Sequence, residues 1–204
     1  MDMKQIFFLP GASGSTQFWH PVQQALADTY QSHVIGYPGF GHTPSIHNLN
    51  NFEQLTDYVI SQIQQPCYLV AQSMGGIFAV AAALAKPELV QGLVLAATSG
   101  GINLDCFHVA DWRQMYKEEY LTHPDWFITT QTSYEDQLQH IQCPSLLLWG
   151  EIDPISPIAV GEYLQQQLTQ VELYIIAQGQ HHFAKTHADE VSHLIRTFLA
   201  RHEQ

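Results

Sequence analysis

Basic residues are scarce in this sequence. Only 7 Lys and Arg stand against 19 Asp and Glu, which gives a formal net charge of −12 at pH 7. The phosphates of nucleic acids and the headgroups of anionic membranes repel such a surface, so we expect neither as a partner. Charged residues make up 13% of the chain and hydrophobic residues 46%, a balance typical of globular rather than disordered proteins.

Cysteines and long apolar runs are also few. Cys67, Cys106 and Cys143 lack the spacing of a metal site, and an odd number suits free thiols in a reducing compartment. No apolar run is long enough to span a bilayer, and the run 6–9 is too short for the core of a signal peptide. We therefore expect a cytoplasmic protein without a metal, whose oligomeric state the sequence leaves open.

Six short apolar runs alternate with segments of helical periodicity. Most of the runs are continuous, as in strands that are buried on both faces of a sheet. They are Gln5–Leu9, His33–Tyr37, Cys67–Ala71, Leu93–Ala97, Ser145–Trp149 and Glu172–Ile176. This alternation predicts an α/β fold, with a mostly parallel central sheet of about six strands and helices on both faces. We expect residues 1–204 to form a single domain.

The stretch 101–140 interrupts this alternation. It contains a predicted helix over Asp105–Tyr120 and then an aromatic-rich segment, but no strand-like run of comparable strength. We interpret it as a cap- or lid-like insertion over one edge of the sheet. Its aromatic side chains are candidates for an apolar substrate pocket, unless they simply pack the insertion onto the sheet. The candidates for the pocket are Phe107, Trp112, Tyr116, Tyr120, Trp126 and Phe127.

One segment carries a clear catalytic pattern. The predicted third strand ends at Gln72, Ser73 follows, and an alanine-rich helix begins at Met74. A sharp turn at this place holds a serine hydroxyl clear of the sheet, and the close approach of strand and helix demands small residues at Ala71 and Gly75. The first backbone N–H of the helix, that of Met74, then faces the reacting centre. Ser73 is therefore the candidate nucleophile.

Taken with its neighbours, this segment resembles the nucleophile turn of the α/β-hydrolase superfamily. The stretches 8–15 and 36–43 resemble two further loops of that family, although Pro10 stands where the family usually has histidine. The resemblance implies that the backbone N–H of Ala12 is the second donor of an oxyanion hole. It also implies that the antiparallel N-terminal hairpin common in the family has no counterpart before the first strand.

The same resemblance implies the other two members of a catalytic triad. The segment 147–154 resembles the strand and loop that deliver the acid, so Asp153 is the candidate, with Glu151 its nearest competitor. The segment 176–183 resembles the loop of the catalytic histidine. Loop length favours His181, while the neighbouring Phe183 would favour His182. The resulting chain order, serine then aspartate then histidine, is the order of this fold.

These residues predict a cofactor-free serine hydrolase that acts on a small acyl substrate, either a carboxylic ester or a thioester. Two alternatives stay open. The same triad supports hydrolysis or lyase cleavage of carbon–carbon bonds. A hydrolase scaffold also serves as a non-catalytic binding protein for small ligands.

Overall fold

The computed structural model of the chain describes residues 3–202. The strands are β1 (Lys4–Leu9), β2 (Tyr30–Val34), β3 (Cys67–Gln72), β4 (Val90–Ala96), β5 (Ser145–Gly150) and β6 (Val171–Ile176). The helices are α1 (His20–Leu26), α2 (Phe52–Gln62), α3 (Met74–Ala85), α4 (Trp112–Glu119), α5 (Trp126–Thr129), α6 (Ile158–Gln167), α7 (Phe183–Thr186) and α8 (Ala188–His202). A 3-10 helix over Glu135–His140 precedes β5.

The six strands form one parallel sheet in the order β2-β1-β3-β4-β5-β6. The order reverses direction beside β1 and β3, so the loops after these two strands meet at the same edge of the sheet. Open parallel sheets place their ligands at such a point, beyond the carboxyl ends of the strands. This architecture confirms the predicted α/β fold.

Helices cover both faces of the sheet, and each face has its own apolar core. Successive residues of β3 point to opposite sides, so Leu69 packs with α2, α3 and α6, whereas Val70 packs with α1, α7 and α8. Every residue of β3 and β5 is buried, which explains why these strands read as continuous apolar runs.

Two elements differ from the sequence prediction. The run His33–Tyr37 predicts the second strand, but β2 begins earlier, at Tyr30, and ends at Val34. As an edge strand, β2 pairs only with β1, and two of its five residues, Gln31 and His33, are polar and exposed. The apolar signal therefore shifts toward the buried residues that follow it. The predicted helix over Asp105–Tyr120 is shorter, because the Asp111 side chain caps it by accepting a hydrogen bond from the Arg113 N–H at 3.2 Å.

Across residues 3–202, no helix combines the length and the apolarity that a bilayer crossing requires. The same part of the chain contains no group of three or more His, Cys, Asp or Glu side chains arranged to hold a metal ion. Cys67, Cys106 and Cys143 are free thiols.

Candidate active site

Ser73 lies in the one-residue turn between β3 and α3. Its backbone has φ 52° and ψ −123°, in the region that favours glycine and is strained for serine. Three hydrogen bonds hold this geometry. The Ser73 N–H donates to the Ala96 carbonyl at 3.0 Å, and the Ser73 carbonyl accepts from the Thr98 hydroxyl at 2.6 Å and from the Gly76 N–H at 3.0 Å. The turn is therefore fixed by its neighbours in β4 and α3.

The helix after Ser73 approaches β1 very closely. A Cβ atom added to Gly75 would lie 2.6 Å from the carbonyl oxygens of both Leu9 and Pro10, and neither backbone oxygen can move without displacing the loop after β1. Ala71, the other position expected to be small, is completely buried. The close approach brings the first turn of α3 beside residues 10–14, where the second backbone donor was expected.

Gly75→Ala is expected to lower the free energy of unfolding by about 2 kcal/mol, because the extra methyl group overpacks a backbone contact. Thermal or urea unfolding of the purified variant measures this loss. Gln165→Ala, at an exposed position of α6, is the matched control and should change stability little. An unfolding curve of Gly75→Ala that superimposes on that of the wild type would show that α3 and β1 are not packed as described.

The loop after β1 is anchored by side chains from three other elements. The Trp19 indole donates to the Leu9 carbonyl at 3.1 Å, and the Tyr37 hydroxyl donates to the Pro10 carbonyl at 2.8 Å. Both bonds are buried, and a more distant contact joins the Tyr116 hydroxyl of α4 to the Ala12 carbonyl at 3.4 Å. The loop that they hold contributes Ala12 to the cavity that Ser73 also lines. Sequence reasoning did not assign this anchoring role to Trp19 or to Tyr37, although Tyr37 lies in the stretch 36–43 that resembles a family loop.

Asp153 and His181 are joined directly. The Asp153 side chain is fully buried, and its Oδ2 atom lies 2.8 Å from His181 Nδ1. Its Oδ1 atom accepts hydrogen bonds from the backbone N–H groups of Ile155 at 2.8 Å and Ser156 at 3.1 Å. Both carboxylate oxygens are thus occupied, and the imidazole can present only Nε2 to a reactant.

The other candidates for acid and base are placed differently. Glu151 accepts hydrogen bonds from the backbone and the side chain of Gln178. It therefore holds the loop that follows β6 and carries His181, which we call the histidine loop, and is not paired with an imidazole. The His182 ring lies edge-on to Phe18, with centroids 6.2 Å apart. Loss of hydration lowers the pKa of His182, and the neighbouring His181 lowers it further. No carboxylate is hydrogen-bonded to the His182 ring within residues 3–202.

A cavity of about 650 Å³ opens over Ser73, a volume typical of small-molecule sites. Ala12, Ser73, Met74 and His181 all line it. The segment 101–140 contributes both aromatic and polar side chains to its lining. Apolar lining residues include Phe18, Phe52, Ile77, Ile102, Leu104 and Phe127. Burial raises the pKa of Tyr116, which keeps this phenol neutral beside the cavity.

The structure places the expected pocket residues in two groups. Those that line the cavity over Ser73 are Trp112, Tyr116, Tyr120 and Phe127. Phe107 and Trp126 do not, which corrects the expected lining. Phe107 packs edge-on against Tyr163 of α6, and Trp126 lines a separate shallow depression. Trp126 and Phe127 are neighbours in α5, and successive helical residues point in different directions, so Phe127 lines the cavity whereas Trp126 does not.

Comparisons with known proteins place this geometry in context. A family model described as alpha/beta hydrolase fold matches residues 4–127, and a model described as TAP-like protein matches residues 111–203. A pimeloyl-[acyl-carrier protein] methyl ester esterase of Vibrio cholerae serotype O1 is 24% identical, over 90% of this chain and 89% of its own. An uncharacterized hydrolase of Bacillus subtilis (strain 168), YugF, is 25% identical, over 85% and 82% of the two chains.

Solved structures agree on the architecture. A thermophilic esterase from Thermogutta terrifontis superposes with a TM-score of 0.81 and 18% identity, covering 98% of this chain and 91% of its own. A meta-cleavage product hydrolase from Pseudomonas fluorescens IP01 gives a TM-score of 0.81 and 17% identity, covering 99% and 92%. At these identities the superpositions establish a shared fold.

Proposed function

The chain belongs to the α/β-hydrolase fold family and is a hydrolase of that type, and on this premise we propose that it cleaves a small carboxylic ester through Ser73, His181 and Asp153. The observation that carries the proposal is the 2.8 Å bond between Asp153 and His181 at the rim of the cavity that Ser73 lines. A buried carboxylate bonded to Nδ1 of an imidazole orients the ring for proton transfer at Nε2.

In the proposed reaction, Ser73 Oγ attacks the acyl carbonyl carbon while His181 Nε2 takes the hydroxyl proton. The carbonyl oxygen becomes an oxyanion, which the backbone N–H groups of Ala12 and Met74 stabilise. Each such donor is worth about 2.7–4 kcal/mol in a comparable site. His181 returns the proton to the departing alkoxide, and the acyl group stays on Ser73. Water then attacks the acyl-enzyme with the same proton transfers and releases the acid.

The size and lining of the cavity support a small substrate with an apolar acyl group. About 650 Å³ accommodates a molecule of drug size, and the rings of Phe52 and Phe127, together with Ile77, form an apolar surface beside Met74. An ester is favoured over a thioester because several relatives are methyl ester esterases.

A screen of substrates tests this proposal. Purified protein is offered p-nitrophenyl esters of increasing acyl length, methyl esters and thioesters, and a fluorophosphonate labels it in parallel. We expect turnover of short- or medium-chain esters and one phosphonyl group per chain, located by mass spectrometry on the peptide that contains Ser73. Thermal stabilisation by an ester, with neither turnover nor labelling, would instead identify a non-catalytic binding protein.

A further inference from the structure

Gln72 is a buried polar residue at the end of a strand that is otherwise mostly apolar. It is the last residue of β3, precedes Ser73 directly, and is 4% exposed. A buried primary amide has two donors and an acceptor to satisfy, so its partners reveal what it does. Its Nε2 donates a hydrogen bond to the backbone carbonyl of His181 at 3.2 Å, across 109 positions of the chain.

The other end of the amide faces the loop after β1. A Cβ atom at Gly11 would overlap Gln72 Oε1 and would lie 3.2 Å from Ser73 Cβ, so the missing side chain of Gly11 provides the space that the amide occupies. The Gln72 side chain therefore lies between the loop after β1, the turn at Ser73 and the histidine loop. Gln72 also lines the cavity over Ser73.

The histidine loop needs such a tether. The His181 ring is held at Nδ1 by a single bond to Asp153, about which it can still pivot. Backbone bonds fix the start of the loop, where the Ile152 N–H donates to the Gly179 carbonyl at 3.0 Å. In the described part of the chain, the His181 carbonyl itself has Gln72 as its hydrogen-bond donor.

We propose that Gln72 is a positioning residue that holds the backbone of His181 so that the imidazole reaches Ser73 in the geometry that proton transfer requires. This inference rests on the proposed serine hydrolase function. A misplacement of about 1 Å costs roughly a hundredfold in rate, so a second tether on the base has a direct kinetic effect. A neutral amide suits the place, because a carboxylate would direct lone pairs at the His181 carbonyl and a thioether has no donor.

Two variants test the proposal. Gln72→Met keeps the length of the side chain without a donor, and Gln72→Glu keeps its shape but replaces the donor by an acceptor. We expect kcat for the best ester of the screen to fall about tenfold or more in both, with KM within about twofold, because proton transfer and not binding is disturbed. The rate of fluorophosphonate labelling should fall by the same factor.

The control for the Gln72 variants is a substitution that lowers stability at a position outside the candidate active site. Ser145→Ala fits, because Ser145 is fully buried at the opposite end of the sheet, where its hydroxyl donates to the Cys143 carbonyl at 3.4 Å. At a comparable loss of melting temperature, this control should keep kcat within about twofold. If it loses kcat as Gln72→Met does, or if both Gln72 variants keep kcat, the positioning role is overturned.

Proton NMR of the His181 Nδ1–H that bonds Asp153 separates this inference from the proposed function. We expect its resonance to shift or broaden in Gln72→Met and to stay unchanged in Ser145→Ala. A wild-type protein that hydrolyses no ester contradicts the proposed function, and the NMR signal then decides on Gln72 alone. An unchanged resonance in Gln72→Met overturns the tether whatever the wild type hydrolyses.

Discussion

Ser73→Ala is expected to reduce kcat for ester hydrolysis by roughly a millionfold, to the level that the oxyanion donors and substrate binding sustain alone. The substitution removes the atom that forms the acyl-enzyme. It leaves the three hydrogen bonds of the turn in place, because all of them use the Ser73 backbone. Alanine also has a Cβ atom, so the strain of the positive φ is the same as in serine.

The measurements for Ser73→Ala are ester turnover, labelling by a fluorophosphonate and thermal unfolding. We expect the first two to vanish and the melting temperature to change little. Ser61→Ala, at an exposed position of α2, is a control that should label and turn over as the wild type does. Stoichiometric labelling that persists in Ser73→Ala would remove Ser73 from the role of nucleophile.

His181→Ala should cost about as much as the loss of the serine, again roughly a millionfold in kcat, because nucleophile and base act as a unit. Without the imidazole, the hydroxyl of Ser73 keeps its proton and the buried Asp153 carboxylate loses its partner at Oδ2. The second effect should also lower the free energy of unfolding by about 1–3 kcal/mol.

The next residue, His182, provides the control for His181→Ala. The His182 ring also lines the cavity but is not hydrogen-bonded to Asp153, so His182→Ala should keep kcat within about tenfold of the wild type. Added imidazole should restore part of the activity of His181→Ala, since a free base can enter the space that the ring leaves. A larger loss in His182→Ala than in His181→Ala would exchange the two assignments.

Much of this architecture is readable in the sequence because it depends on local patterns. The buried strands β3 and β5 are continuous apolar runs, and Ser73 stands at the change from strand to small-residue helix. The alternation of strands and helices implies a parallel sheet and hence one edge at which loops converge. The pairing of Asp153 with a histidine follows from loop positions known in a resembling family, which is a weaker kind of inference.

The remaining features depend on contacts between distant parts of the chain. Gln72 and Thr98 carry no motif, and their hydrogen bonds to His181 and Ser73 exist only after the sheet has formed. The lining of the cavity was accessible only in part. Trp112 and Tyr116 line it as expected, but whether Trp126 or Phe127 does so depends on how a single helical turn is rotated, and both are large aromatic residues.

The left-handed backbone conformation of Ser73 costs the folded protein stability, but the proposed chemistry requires a serine at this position. Glycine would occupy φ 52° without the strain that a side chain adds there, yet only serine brings a hydroxyl to the base. Efforts to make this protein more heat-resistant should therefore leave the turn alone and work elsewhere. If variants were selected for heat resistance alone, without a substrate, we expect Ser73 to be replaced by a residue that relieves the strain, and the nucleophile would be lost.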